Sequence, residues 1–355
     1  MGLRYTSLKM FHFPERLESL PRGNPVIGPP LHVRIKPTNV CCHRCRYCAY
    51  RAPELRLGED MQPRAAIPRD KLREILGDLI AMGVQAVTFS GGGDPFCYPR
   101  LAEAAAQLAK SPVRFAALTN GARLEGEAAA VFARSASWLR ISMDGWDGPS
   151  YARYRGVGED EFGRVVRNIE RFRALSGACF LGVSYIVDEM NAPHVFEFIG
   201  MAKGFGADSI KISPCIVSED GDANNRYHAP FFASVREQIA RARAVFEAPG
   251  FEIFDAYHQL QSVFDKPYEW CPYLQLLPVI AADQCVYSCQ DKAYTASGRL
   301  GSIENEPFQA FWMREKEKFY RIVPACDCRH HCVADGKNRL VLEYLAADEE
   351  HLGFV

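Results

Sequence analysis

From residue 31 to residue 215, short apolar runs alternate with longer amphipathic ones, and this alternation limits the possible folds more than any other feature of the chain. The runs 31–36 (LHVRIK), 86–90 (AVTFS), 114–119 (RFAALT), 138–143 (WLRISM), 178–187 (ACFLGVSYIV) and 209–213 (SIKIS) read as strands. Segments 69–82, 99–110, 125–136, 159–175, 193–204 and 230–247 carry helical periodicity. Repeated strand-helix units commit a chain to a parallel sheet covered by helices, an α/β fold. Six units are too few for the eight of a closed barrel, so the expectation is a partial (β/α)6 TIM-like barrel whose working edge is the carboxyl end of its strands.

Chemically unusual residues fall at those ends. A cysteine cluster follows the first strand, GGGDP (91–95) the second, Asn120-Gly121 the third and Asp144-Gly145 the fourth, while Cys215 follows the sixth. Each alone is ordinary turn chemistry; together they converge on one mouth. Past residue 250 the pattern changes to short strands within 278–289 and 299–303 and a helix near 307–321. This reads as a small appended unit of the kind a metal often holds together. The expected division is an N-terminal extension (1–30), a core (31–250) and a cysteine-rich C-terminal domain with a closing helix (251–355).

Lys and Arg total 42 against 43 Asp and Glu, for a formal charge of -1, with no long block of one sign. Phosphate-backbone binding needs concentrated cations, so nucleic acid and anionic membranes are poor candidate partners. No apolar run is long enough to span a bilayer, and the opening residues lack the features of a secretory signal, which together imply a cytoplasmic protein. In a reducing compartment, thirteen cysteines favour metal ligation or catalysis over disulfides.

The cysteines fall into two groups. Cys41, Cys45 and Cys48 form C-x3-C-x2-C on a loop, with Tyr47 before the last and Cys42 offering an alternative register. Thiolates suit zinc or iron-sulfur clusters. Structural zinc sites usually take their four ligands as two pairs. Three thiolates in one loop suit a four-iron cube with one iron left open, whereas electron carriers usually supply four.

This motif resembles the signature of the radical S-adenosylmethionine (SAM) superfamily. The SGGGDP run (90–95) is similar to the family's second motif, with Asp94 where Glu is usual. The resemblance implies a [4Fe-4S] cluster with an open iron on Cys41, Cys45 and Cys48. It also implies SAM contacts from Tyr47, from Gly92, Gly93 and Asp94 to the amino group, and from Ser142 and Asp144 to the carboxylate and ribose. Asn120, at the third strand end, joins this set, and Arg155 in YARYRG would neutralise the carboxylate. A zwitterionic ligand needs both acceptors and donors, which Asp94 and Arg155 supply.

The second group, Cys271, Cys285, Cys289, Cys326, Cys328 and Cys332, resembles the auxiliary-cluster extension called SPASM, or its shorter twitch form. Six cysteines cannot ligate two further clusters fully. One auxiliary [4Fe-4S] cluster on Cys271, Cys289, Cys328 and Cys332 is the expectation, with Cys285 and Cys326 as substitutes. A structural zinc, which His330 and His331 could assist, is the alternative.

The chemistry implied by the family begins with an electron from a reductant such as flavodoxin or ferredoxin. SAM is cleaved to a 5'-deoxyadenosyl radical, which removes a substrate hydrogen atom. Net oxidation through the auxiliary cluster, or epimerisation with Cys215 or Cys97 returning a hydrogen, would follow. About thirty residues precede the first strand, too few for the peptide-binding module of superfamily peptide maturases. A small-molecule, carbohydrate-like substrate is therefore expected, with Trp146, Tyr227, His228 and Trp270 as candidate pocket residues. The alternatives are a peptide maturase, a non-enzymatic iron-sulfur carrier and a zinc-stabilised binding protein.

Overall fold

The computed structural model describes residues 4–50, 57–262 and 264–354. After a short helix α1 (Pro14–Glu18), the chain alternates β1 (His32–Ile35), α2 (Arg69–Ala81), β2 (Ala86–Phe89), α3 (Leu101–Ala109), β3 (Arg114–Thr119), α4 (Gly126–Ser135) and β4 (Trp138–Ser142). It continues through α5 (Gly148–Arg155), α6 (Asp160–Ala174), β5 (Phe180–Val187), α7 (Val195–Gly204), β6 (Ser209–Pro214), α8 (Gly221–Phe246) and β7 (Glu252–Asp255). Strands β1 to β7 pair in sequence order, all parallel, as an open sheet. The fold is thus α/β with a partial, unclosed TIM-like barrel.

Period-two alternation sorts the faces. Val33 and Ile35, Leu139 and Ile141, and Ile210 and Ile212 are fully buried and belong to the main apolar core. The helices meet them with stripes at helical spacing, such as Leu72, Ile75, Leu76 and Leu79 of α2.

The structure adds two elements and lengthens a third. Strand β7 extends the sheet to seven parallel strands. Helix α5 follows Asp147, whose carboxylate closes a capping box with Ser150, and it ends at Gly156, whose φ of 62° is the left-handed conformation of a helix stop. Helix α8 begins at Gly221, not near 230, because Asp220 caps it through Asp222 and Ala223; Pro230 lies inside it.

The C-terminal segment comprises α9 (Pro272–Leu276), β8 (Val279–Ile280), β9 (Cys285–Tyr287), β10 (Arg299–Ser302), α10 (Phe308–Met313), α11 (Pro324–Asp327) and α12 (Asp335–Leu345). Strand β8 pairs in parallel with β1, and β9 and β10 continue antiparallel, so the segment prolongs the open edge of the same sheet. Ile280, Val286, Phe308 and Trp312 join the main core. Among the described residues, no helix is long and apolar enough to cross a membrane.

Phe132 of α4 packs against Phe89, Phe96 and Phe115 with ring centroids 5.2 to 6.3 Å apart. Urea unfolding of Phe132→Ala should show a loss of about 3–5 kcal/mol, because the neighbouring strands cannot collapse into the void; Phe132→Leu should lose less than half of that.

Candidate active site

The glycine turn and the first cysteine loop are built against each other. Ser90 N, Gly93 N and Asp94 N donate to the carbonyls of Ile35, Thr38 and Val40 at 2.9, 3.1 and 2.9 Å. A Cβ on Gly93 would lie 2.1 Å from the Val40 carbonyl, and one on Gly92 would lie 2.2 Å from Asn39 Oδ1. Only glycine permits this approach.

Asp94 is turned inward. Its Oδ1 accepts from Phe96 N at 2.9 Å, its Oδ2 from Asn120 N at 2.6 Å, and the Thr119 hydroxyl bonds both oxygens at 3.0 and 2.9 Å. The carboxylate therefore braces the β2 loop against the β3 loop. The Asn120 side-chain amide reaches Cys41 and Cys42 Sγ at 3.7 and 3.5 Å.

The far wall of the loop rests on a buried ion pair. Arg155, only 4% exposed, pairs with the fully buried Asp144 and donates to Cys45 Sγ at 3.3 Å. Asp144 also accepts from the Tyr47 hydroxyl and from Ile186 N at 2.7 Å. Arg44 N and Arg46 N donate to the carbonyls of Arg155 and Tyr154 at 2.8 and 3.1 Å, tying the loop to the end of α5. Burial opposes the Arg155 charge, but Asp144, Tyr47 and Cys45 outweigh it and hold the guanidinium above its ordinary pKa. Ser142, on the concave face of β4, accepts from Ser184 at 3.2 Å.

The structure separates the remaining cysteines. Cys97 meets the Cys42 sulfur in a side-chain hydrogen bond beside the first loop. Cys215, 7% exposed, lines a cavity of about 170 Å³ together with Tyr47, Ile186, Asp291, His330 and His331. Burial, then Asp188, pushes its thiol up to about 12, which keeps it protonated.

Cys289 lies within electrostatic range of Cys332 and Cys328, and Cys271 of Cys289 and Cys328. Lys266 and Lys292 flank this set. Four thiols within electrostatic range of one another, with two lysines and also Asp291 and Asp327 beside them, suit thiolate ligation of a metal or cluster. Cys285 is buried among Val279, Tyr287 and Tyr294, bonding the Asp283 carbonyl, and Cys326 is exposed.

Two residues that the strand-end argument passed over stand between the cysteine sites. Fully buried Lys36 donates to the Tyr50 hydroxyl and, at 3.1 Å, to the Gly91 carbonyl, with Asp291, Cys48 and Cys289 in electrostatic range. Asp291 shares a group with Cys289 and His330 whose ligand atoms lie within 4.8 Å of one another. A lysine closing the otherwise apolar end of the first expected strand, 31–36, was the available signal.

None of the four aromatic candidates lines the cavity. Trp146 stacks on His194 at 3.7 Å and Trp270 packs on Tyr320 at 5.7 Å. The Tyr227 hydroxyl accepts from Glu189 N at 3.2 Å, and His228 bonds the Cys215 carbonyl at 2.8 Å. Ring packing and these hydrogen bonds occupy all four side chains.

Asp144→Asn should lower stability by about 3–5 kcal/mol in urea unfolding, since it leaves the Arg155 guanidinium buried without its counter-charge. Ser142→Ala should cost about 1 kcal/mol or less.

Comparison with known proteins agrees with this geometry. A GTP 3',8-cyclase from Synechococcus elongatus is 27% identical over 171 residues, 47% of this chain and 50% of that protein. An S-adenosylmethionine-dependent nucleotide dehydratase from Lacinutrix mariniflava is 28% identical over 109 residues, 30% of this chain and 22% of that protein. The chain thus matches half or less of the length of these curated relatives. Among solved structures, Streptococcus suis SuiB bound to S-adenosylmethionine superposes with a TM-score of 0.63 at 15% identity, covering 90% of this chain and 74% of SuiB. The structure titled native anSMEcpe with bound AdoMet gives 0.58 at 15% identity, covering 89% of this chain and 97% of the other. These likenesses are ones of fold. The family model described as the Radical SAM superfamily matches residues 35–198, the stretch that carries the cysteine loop, the glycine turn and the Asp144–Arg155 pair, and the chain therefore contains a radical SAM superfamily domain.

Proposed function

We propose that the protein is a radical SAM enzyme acting on a small molecule held at the barrel mouth. The observation that carries this reading is the cavity on whose wall the first cysteine loop (Tyr47), the end of β6 (Cys215) and the C-terminal segment (Asp291, His330) meet. Cys41, Cys45 and Cys48 would hold a [4Fe-4S] cluster, and Cys271, Cys289, Cys328 and Cys332 an auxiliary one of SPASM or twitch type. The boundaries 1–30, 31–250 and 251–355 would mark extension, radical core and auxiliary domain. When bound, the first cluster and SAM together supply the 5'-deoxyadenosyl radical that removes a substrate hydrogen atom.

The chain's own residues orient and shield. Arg155 and Tyr47, fixed on Asp144, set the loop's distance from β4 and β5. Since the carboxylate of Asp94 is committed to Thr119 and Asn120, the backbone of Gly92 and Gly93 would be left to hold the SAM ammonium. Asn120 and Ser142 complete the polar wall. Cys215, protonated and on the cavity wall, is better placed than Cys97 to return a hydrogen atom to a substrate radical. The activities for which the curated relatives are named, GTP cyclisation and nucleotide dehydration, support a small-molecule substrate over a peptide.

Anaerobically reconstituted protein given dithionite and SAM should release 5'-deoxyadenosine, and Cys45→Ala should abolish the release. Iron analysis should find about eight irons per chain, falling to about four in Cys271→Ala/Cys328→Ala. Four in the unaltered protein would remove the auxiliary cluster, and absence of 5'-deoxyadenosine would remove the enzyme.

A further inference from the structure

The interior of a closed barrel is packed with branched apolar side chains. The concave face of this open one is not. Alternation that sends Ile35, Ile141 and Ile212 into the helix layer sends Arg34, Arg140 and Lys211 to the opposite face. Strand register places Arg34 opposite Thr88, Arg140 opposite Gly182, and Lys211 opposite Ser184. Small residues thus lie on one side of each cation, with Val279, Leu118 and Phe254 on the other. A Cβ at Gly182 would lie 3.1 Å from Ser209 Oγ and 3.5 Å from Arg140 Nε, so the Arg140 side chain packs along the glycine. The floor is Tyr5, stacked on Phe254 at 4.3 Å and accepting from Arg140 Nη2 at 3.0 Å.

Among the described residues, none of the three cations forms a carboxylate ion pair, and the Nε atoms of Arg34 and Arg140 are buried without a hydrogen-bond partner. Asp291 and Cys289 lie within electrostatic range of Arg34. Around Lys211 the neighbouring charges are Arg140, Lys337 and Arg34, all of one sign; with burial as the larger cause, they hold its ammonium down to about 8. Of the acids around these strands, Asp144 is engaged with Arg155 and Asp255 with His258, and Asp291 alone faces Arg34, Lys36 and Lys266 together among the described residues. Three partly buried cations on one face, without a carboxylate ion pair, repel one another unless an anion joins them.

We propose that the substrate carries a phosphate chain, seated on Arg34, Arg140 and Lys211 in the barrel lumen, with its reacting end at the mouth beside Tyr47 and Cys215. Guanidinium forks match phosphate oxygens in pairs, and an ammonium adds a point charge. Three cations suit a di- or triphosphate better than a single carboxylate. The inference rests on the reading of the mouth as the place of reaction, and it adds the substrate's chemical class.

Calorimetric titration of the reconstituted 355-residue chain with inorganic pyrophosphate, GTP and guanosine tests it. Pyrophosphate and GTP should bind, with guanosine weaker by about tenfold or more. Arg140→Gln and Lys211→Gln should each weaken pyrophosphate by about tenfold or more. Lys211→Arg and Arg140→Lys, which keep the charge, should retain binding, as should Arg167→Gln on the exposed face of α6. If Arg140→Gln fails to fold, Lys211→Gln and the two charge-keeping variants still decide. Undetectable pyrophosphate binding, binding indifferent to Lys211→Gln, or guanosine binding as tightly as GTP overturns the proposal. 5'-Deoxyadenosine release from the same preparation separates the two readings. Release without phosphate binding removes only the lumen site, and phosphate binding sensitive to Lys211→Gln without release keeps the lumen site while removing the enzyme.

Discussion

The buried pair of Asp144 and Arg155 is the interaction on which the rest of the mouth depends. One carboxylate, with no exposed surface, receives the Arg155 guanidinium, the Tyr47 hydroxyl and the Ile186 amide. It thereby joins the end of β4, the start of the β5 exit, helix α5 and the cysteine loop at a single point. A lone charge could not be kept there, because its desolvation cost is recovered only when every lone pair finds a donor. The Arg155 contact to Cys45 Sγ then carries that rigidity to a candidate ligand.

A second constraint is steric. The glycine run lies so close to residues 39 and 40 that side chains at Gly92 and Gly93 would collide with them. The same approach leaves backbone polar groups facing the loop and pushes the one nearby carboxylate, Asp94, into a bracing role with Thr119 and Asn120. The two constraints hold the cysteine loop from opposite sides.

Much of this was legible from residue patterns, for identifiable reasons. Strand alternation and helical stripes report burial directly, so β1 to β5 fall within the expected runs and β6 outruns its own by one residue. Strand β7 escaped because EIFD is four residues long with charged ends, and its order comes from pairing with β6. Helix α8 begins nine residues before the expected 230 because Asp220 caps it there, and that cap lies outside the apolar periodicity. For Arg155 the motif alone suggested charge neutralisation; its burial against Asp144 depends on a turn between β4 and α5 that folds the helix end back over the strand.

The sequence by itself determined the strand-helix order, the edge at which the chemistry collects and the separation of the cysteines into two groups, because each is a local pattern or a spacing. Tertiary structure decided what those groups face. A formal charge of -1 with 42 basic and 43 acidic residues reads as an evenly mixed surface. Folding sorts those charges, sending Arg34, Arg140 and Lys211, from three strands distant in sequence, onto one concave face while Asp144 and Asp255 are taken up by other partners. Alternation tells that a side chain faces inward, but only strand order and register tell which other charges it meets there, and electrostatics depends on that distance rather than on composition.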